Sequence, residues 1–67
     1  YATRTVKVSS NLKAREEPTL TANVVTTLKN GEKIKVADTQ KIKRDGYTWV
    51  RVKVNGKHAW VAEKYLK

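Results

Sequence analysis

The residue order predicts an all-β fold, a small barrel of five to seven short antiparallel strands with at most one helical turn near the C-terminus. Three observations carry that prediction. Apolar and polar residues alternate over short runs, the pattern of a half-buried strand. No segment has a 3.6-residue apolar period, and the only helix the pattern allows is one turn around residues 63–65. Turn dipeptides at Asn30-Gly31, Asp45-Gly46 and Asn55-Gly56 divide the chain at strand-length intervals. Closure into a barrel is favoured in so short a chain because it removes exposed strand edges.

The elements follow in order. Val6 and Val8 alternate with Lys7, and Leu12 and Ala14 alternate with Lys13 and Arg15, which reads as two strands of about five residues. Residues 16–21 are polar around Pro18 and form an ordered loop. Residues 23–28, rich in Val and Thr, make a third strand, and Asn30-Gly31 turns the chain tightly into a fourth that carries Ile34 and Val36. Residues 38–46 are polar and charged, and form either a long hairpin turning at Asp45-Gly46 or a flexible loop.

The strongest local signal is Asn55-Gly56. A two-residue type I′ turn needs positive φ at both central positions, and this pair tolerates it best. With Asn55 and Gly56 as the loop, Val54 faces Lys57, Val52 faces Ala59 and Val50 faces Val61, giving one largely apolar face. The opposite face pairs Lys53 with His58, Arg51 with Trp60 and Trp49 with Ala62.

Sixty-seven residues make one domain, and a chain of about this length buries only about 60% of the surface it exposes when unfolded. With no Cys and a single His, neither a disulfide framework nor a structural metal is available, so hydrophobic packing must suffice. The absence of Cys leaves the redox compartment open. The net charge of +9 biases encounters toward nucleic acid, anionic lipid or cell-wall polymers. No apolar run approaches the roughly 18 residues of a membrane span. The chain begins at Tyr1 rather than Met, from which we expect a processed product or a fragment of a larger protein, with residues 1–67 as a single domain.

With the elements in order, the chain resembles the bacterial SH3 (SH3b) domain family. The family's early Leu-Asn-Val-Arg element before a Pro-containing loop is matched by Leu12-Lys13-Ala14-Arg15 and Glu16-Glu17-Pro18. Its Val-rich strand, Lys-rich turn and apolar strand are matched by residues 23–31 and by Ile34-Lys35-Val36. Its Trp-x-x-Val, Gly-x-x-Gly-Trp-Val and Tyr-Leu ending resembles Trp49-Val50-Arg51-Val52, Gly56, Ala59-Trp60-Val61 and Tyr65-Leu66. Lys13, Ala14, Glu17 and Ala59 depart from the family's Asn, Val, Gly and Gly, which bears on the loop near Pro18 and the backbone beneath Trp60. The resemblance implies an SH3-like barrel and a non-catalytic module of a secreted or cell-envelope protein, or of a phage lysin. Such modules often sit beside a peptidoglycan-cleaving domain and target it to the wall.

Four residues are candidates for ligand binding: Trp49, Tyr47, Tyr65 and Arg15. Trp49 and Trp60 fall outside the valine face, within diagonal reach of each other, and form either an exposed platform or a second small core under the amino-terminal strand or the Pro18 loop. Trp49 is the favoured contact because it resembles the groove Trp of eukaryotic SH3 domains, which hold extended peptides. Tyr65 matches the family's carboxy-terminal Tyr, and Tyr47 ends the variable loop, so both are placed to line a groove with Trp49. Arg51 opposite Trp60 reads as a cation–π or stem-packing pair. Arg15 is expected to pair with Glu16, Glu17 or the carboxyl end of another segment, or to touch the ligand.

Nothing in the sequence assembles an active site. Glu16 and Glu17 are adjacent and would point to opposite faces of a strand, and His58 has no Cys or Ser paired with it by pattern. No phosphate-cradling Gly loop and no metal-ligand set is present, so no cofactor or metal is expected. Three readings stand: a module targeting peptidoglycan or an anionic cell-wall polymer, a nucleic-acid binder using Lys29, Lys33, Lys35, Lys41, Lys43 and Arg44, and a module that recognises an extended peptide, including one in a catalytic domain of its own parent chain.

Overall fold

The computed structural model describes every residue of the chain except Asp38. Six strands, β1 (Ala2–Thr5), β2 (Asn11–Arg15), β3 (Val24–Lys29), β4 (Lys33–Arg44), β5 (Tyr47–Val54) and β6 (Lys57–Ala62), are followed by a single 3-10 turn, Glu63–Tyr65. They form one antiparallel sheet in the order β1-β4-β5-β6-β2-β3. Leu12 and Leu28 from one end of that order share a core with Ile34 and Val36 from the other, together with Val50, Val52, Ala59 and Val61 between them. A flat sheet could not bring these residues together, so it wraps on itself as a small SH3-like barrel.

The β5–β6 hairpin sets the register of the whole. Asn55 and Gly56 both have positive φ (51° and 78°), the type I′ geometry, and the pairs Val54↔Lys57, Val52↔Ala59 and Val50↔Val61 stand as the alternation requires. Val50, Val52 and Val61 are fully buried. Asp45 and Gly46 repeat the device at φ 54° and 79°, so β4 and β5 form a long hairpin rather than a flexible loop. Its register shifts between Ala37 and Lys41; position 38 of that stretch lies outside the described residues.

One strand is displaced from its expected place. The alternation around Lys7 predicts a strand on Val6 and Val8, whereas β1 spans Ala2–Thr5 and Val6 makes only an isolated bridge to Leu66. The backbone bonds of this segment go to two different partners. Val6 exchanges bonds with the turn after β3 (its N–H to Glu32 O, 2.8 Å; Gly31 N–H to its O, 2.7 Å), while the Lys7 N–H reaches Tyr65 O at 2.8 Å. The Val8 N–H donates to Asn30 Oδ1 at 3.0 Å. Val6 is nevertheless buried, so the hydrophobic pattern holds where the ladder does not.

Glu63, in the 3-10 turn, ties the ends together. Its Oε2 lies 3.0 Å from an Arg4 guanidinium nitrogen on β1 and 2.8 Å from Lys41 Nζ on β4. The bond from Lys41 holds its carboxyl below the ordinary range against the opposing effect of burial, and the bond from Arg4 adds to the lowering.

Candidate binding groove

Alternation along β5 puts Tyr47 and Trp49 on the side of the hairpin opposite Val50 and Val52. Trp49 faces Ala62 across the β5–β6 ladder, and this small neighbour leaves room for the indole to lie against the sheet. The indole N–H donates to Arg44 O at 2.9 Å, closing the side chain over the end of the β4–β5 hairpin. The Tyr47 ring meets Trp49 edge-on at 5.9 Å between centroids, and Tyr65 stands 6.5 Å from Tyr47 on the other side. These three rings border a groove of about 290 Å³, whose remaining walls are residues 8–13, Arg15, Leu20 and Ala62.

The structure therefore brings Trp49, Tyr47, Tyr65 and Arg15 to one concavity, with a change in the part played by Trp49. Of the two arrangements the alternation left open, an exposed platform or a covered second core, it takes the covered one, being only 2% exposed. The outward side of β5 is not solvent at this point, because the segment before β2 and the loop after it rise around it. Trp49 is the floor of the groove, and the half-buried Tyr47 and Tyr65 supply its accessible aromatic surface.

Trp60 lies one row further along the hairpin and is half-buried between Arg51 and Arg15, its cross-strand neighbours on either side. No ring contact joins it to Trp49 among the described residues; the aromatic partner of Trp49 is Tyr47. The opposition of Arg51 and Trp60 matches the expected pairing, but the cation–π contacts among the described residues involve Lys64. Its Nζ lies 5.5 Å from the Tyr47 centroid and 5.3 Å from that of Tyr65. Lys64 had no sequence signal beyond its place beside Tyr65 in the terminal turn.

Three hydrogen bonds fix the loop after β2. Arg15 donates to Ala22 O at 2.9 Å, so its partner is a backbone carbonyl of its own loop and not Glu16 or Glu17. At the loop tip, Asp45 Oδ2 accepts from Thr19 Oγ1 at 2.7 Å and from the Leu20 N–H at 3.1 Å. The Thr19 hydroxyl, then the Leu20 amide, hold the Asp45 carboxyl below its ordinary range, and Arg44 adds a smaller pull. Leu20, 45% exposed, is thereby held at the groove edge. Sequence alone gave no reason to place Leu20 there, because this tether joins residues 25 apart.

Residues 10–67 match the bacterial SH3 domain, and the chain belongs to that family. No curated protein matches the chain. Domains of this family are typically non-catalytic binding modules, generally for cell-wall components, and are often found in secreted or wall-associated proteins. Among the described residues, no helix is long and apolar enough to cross a membrane.

Proposed function

We propose that this chain is a non-catalytic targeting module that holds an extended peptide of bacterial peptidoglycan in the groove bordered by Tyr47, Trp49 and Tyr65, on behalf of a larger secreted or envelope protein. The observation that supports this most directly is the continuous aromatic border, Trp49 to Tyr47 to Tyr65, beside an open concavity with polar and cationic walls. Aromatic faces hold extended backbone at low entropic cost, and the polar wall at residues 8–13 and Arg15 supplies donors for its carbonyls and carboxylates. Nothing in the groove resembles a nucleophile with its base, and the ligand is released unchanged.

The test is sedimentation of the domain with purified cell walls stripped of their anionic polymers. Tyr47→Ala is the informative variant, because Tyr47 is half-buried at the groove wall whereas Trp49 is buried and its removal disturbs the fold. Binding by the wild type and a loss of at least about fivefold in Tyr47→Ala, with unchanged far-UV dichroism, is expected; a loss of that size is on the order of 1 kcal/mol. Undiminished binding by a folded Tyr47→Ala rejects the groove.

A further inference from the structure

Beyond the groove, the barrel carries a second surface whose chemistry is different. Val36, Val52 and Ala59 stand side by side across β4, β5 and β6 and are buried in the core, so the rows flanking them point outward. One of those rows runs Thr3, Lys35, Lys53, His58 across β1, β4, β5 and β6, and the other runs Ala37, Arg51, Trp60, Arg15 across β4, β5, β6 and β2. Lys33, two residues before Lys35, shares the outward side and faces Thr5. Among the described residues these rows contain no carboxylate.

Lys35 and Lys53 are directly opposed across the β4–β5 ladder, an arrangement that is destabilising when nothing neutralises it. Lys33, Lys35, Arg51 and Lys53 make no ion pair among the described residues. Arg51 Nε is buried with no hydrogen-bond partner among the described residues. Among the described residues, Glu63 is engaged with Arg4 and Lys41, and Asp45 with Thr19 and Leu20. Glu32, at the rim of this face, turns its Oε1 to the Lys29 amide at 3.2 Å. Four cations are thus spread over two neighbouring strands, beside a shallow concavity bounded by Lys33, Lys35, Lys53 and the Asn55-Gly56 turn, with Glu32 as the one carboxylate in its lining.

We infer that this outer face of β4–β5–β6 is a separate binding surface for a linear polyphosphodiester of the cell wall, taken up by Lys33, Lys35, Lys53 and Arg51. Sheet geometry sets the backbone positions that carry them about 4.8 Å apart between strands and about 6.7 Å apart along a strand, and their long flexible side chains can follow a flexible chain of phosphates without a fixed helical geometry. A nucleic acid is the weaker fit. Strand binders stack successive bases on successive aromatic faces, and among the rows that carry the four cations the one aromatic is Trp60, half-buried between two arginines, while Trp49 and Tyr47, further along the same side of β5, belong to the groove. The choice of a wall polymer as the polyanion rests on the targeting role proposed above; the cationic face itself does not.

The experiment measures binding of a synthetic glycerol-phosphate oligomer to the wild-type domain and to two double variants of equal net charge. In Lys35→Gln/Lys53→Gln the opposed pair is removed; in Lys7→Gln/Lys29→Gln two exposed lysines away from these rows are removed. The first is expected to lose at least about tenfold in affinity and to flatten the dependence of log K on log salt by roughly 1 to 2, while melting at the same temperature as the wild type or higher. The second is expected to lose less than about threefold. Equal losses in the two variants, or no binding by the wild type, overturn the proposal. Tighter binding of a single-stranded oligodeoxynucleotide with the same number of phosphates overturns the choice of polymer. Because the oligomer contains no peptide and the groove test uses walls stripped of polymer, failure of either reading is seen without the other.

Discussion

Asp45 and Thr19 are 26 residues apart in the chain, and the carboxylate of one accepts the hydroxyl proton of the other at 2.7 Å. Asp45 does two things at once. Its backbone sits at φ 54°, as the first central residue of the β4–β5 turn, and its side chain reaches over to fix the loop that carries Leu20. Asp is among the few residues that combine tolerance of that φ with a strong acceptor.

The two roles separate by substitution. Asn keeps the tolerance of positive φ and one acceptor oxygen but loses the charge, whereas Ala loses both. The expected order of melting temperatures is wild type, then Asp45→Asn close below it, then Asp45→Ala clearly lower. Hydrogen exchange should show the Leu20 amide, which donates to Oδ2, faster in both variants than in the wild type. An Asn variant that exchanges Leu20 as slowly as the wild type would mean that the charge contributes nothing to the tether.

Acid should weaken the domain through two carboxylates in particular. Asp45 and Glu63 are both held below their ordinary ranges in the folded chain, by Thr19 and Leu20 in one case and by Lys41 and Arg4 in the other. The unfolded chain therefore binds more protons than the folded one between the ordinary carboxylate range, about pH 4, and the lower folded values. Their contribution is complete above that range and disappears as pH falls through the folded pKa values. Urea midpoints should be flat from pH 7 to about 5 and fall steadily below about 4. Glu63→Gln should lower the midpoint at pH 7 and make the acid limb shallower, since only Asp45 of the two then titrates.

How much of this was legible in the sequence depends on whether a feature is local. The β5–β6 hairpin was legible to the residue pair, because Asn55-Gly56 fixes the turn and a one-residue slip would have turned Val50, Val52 and Val54 to water. The resemblance offered Trp49 and Tyr65 for one groove and the end of the variable loop offered Tyr47, whereas Arg15 was offered either an ion pair or a ligand contact. The depth of Trp49 was not legible. Alternation says which side of a sheet a residue faces, but not whether more chain lies on that side, and here the Asp45–Thr19 and Arg15–Ala22 contacts set the path of the covering loop. The place of β1 escaped for the same reason, since the partners of Val6 and Lys7 are the turn after β3 and the carboxy-terminal segment.

The burial of Trp49 makes a quantitative prediction. Truncating a buried Trp to Ala costs about 3–5 kcal/mol, and a domain of this size has a total stability of roughly 3–10 kcal/mol at about 0.05–0.15 kcal/mol per residue. Trp49→Ala is thus expected to lose from about a third to all of that stability. Trp49→Phe keeps an aromatic floor but leaves Arg44 O without its donor, at a cost of about 1–2 kcal/mol. Urea titration followed by far-UV dichroism measures both, and a Trp49→Ala midpoint within error of the wild type would show that the indole does not support the fold.

The charge around the groove predicts the polarity of its ligand. Lys13 and Arg15 line it, Lys64 hangs over the Tyr47 and Tyr65 rings, and no carboxylate is among the lining residues. A peptide with a free carboxylate should therefore bind better than its amide, with the carboxylate directed toward Lys64. Lys64 is exposed, so screening limits the interaction to about 0.2–1 kcal/mol, or up to about fivefold in affinity. Lys64→Met keeps the apolar stem over the rings and removes the charge. It should lower affinity for the free acid by that factor, leave affinity for the amide unchanged, and abolish the difference between them. Calorimetry of both peptides with both proteins closes the cycle, and a Lys64→Met variant that still prefers the free acid by the same factor would place the carboxylate elsewhere in the groove, beside Arg15 or Lys13.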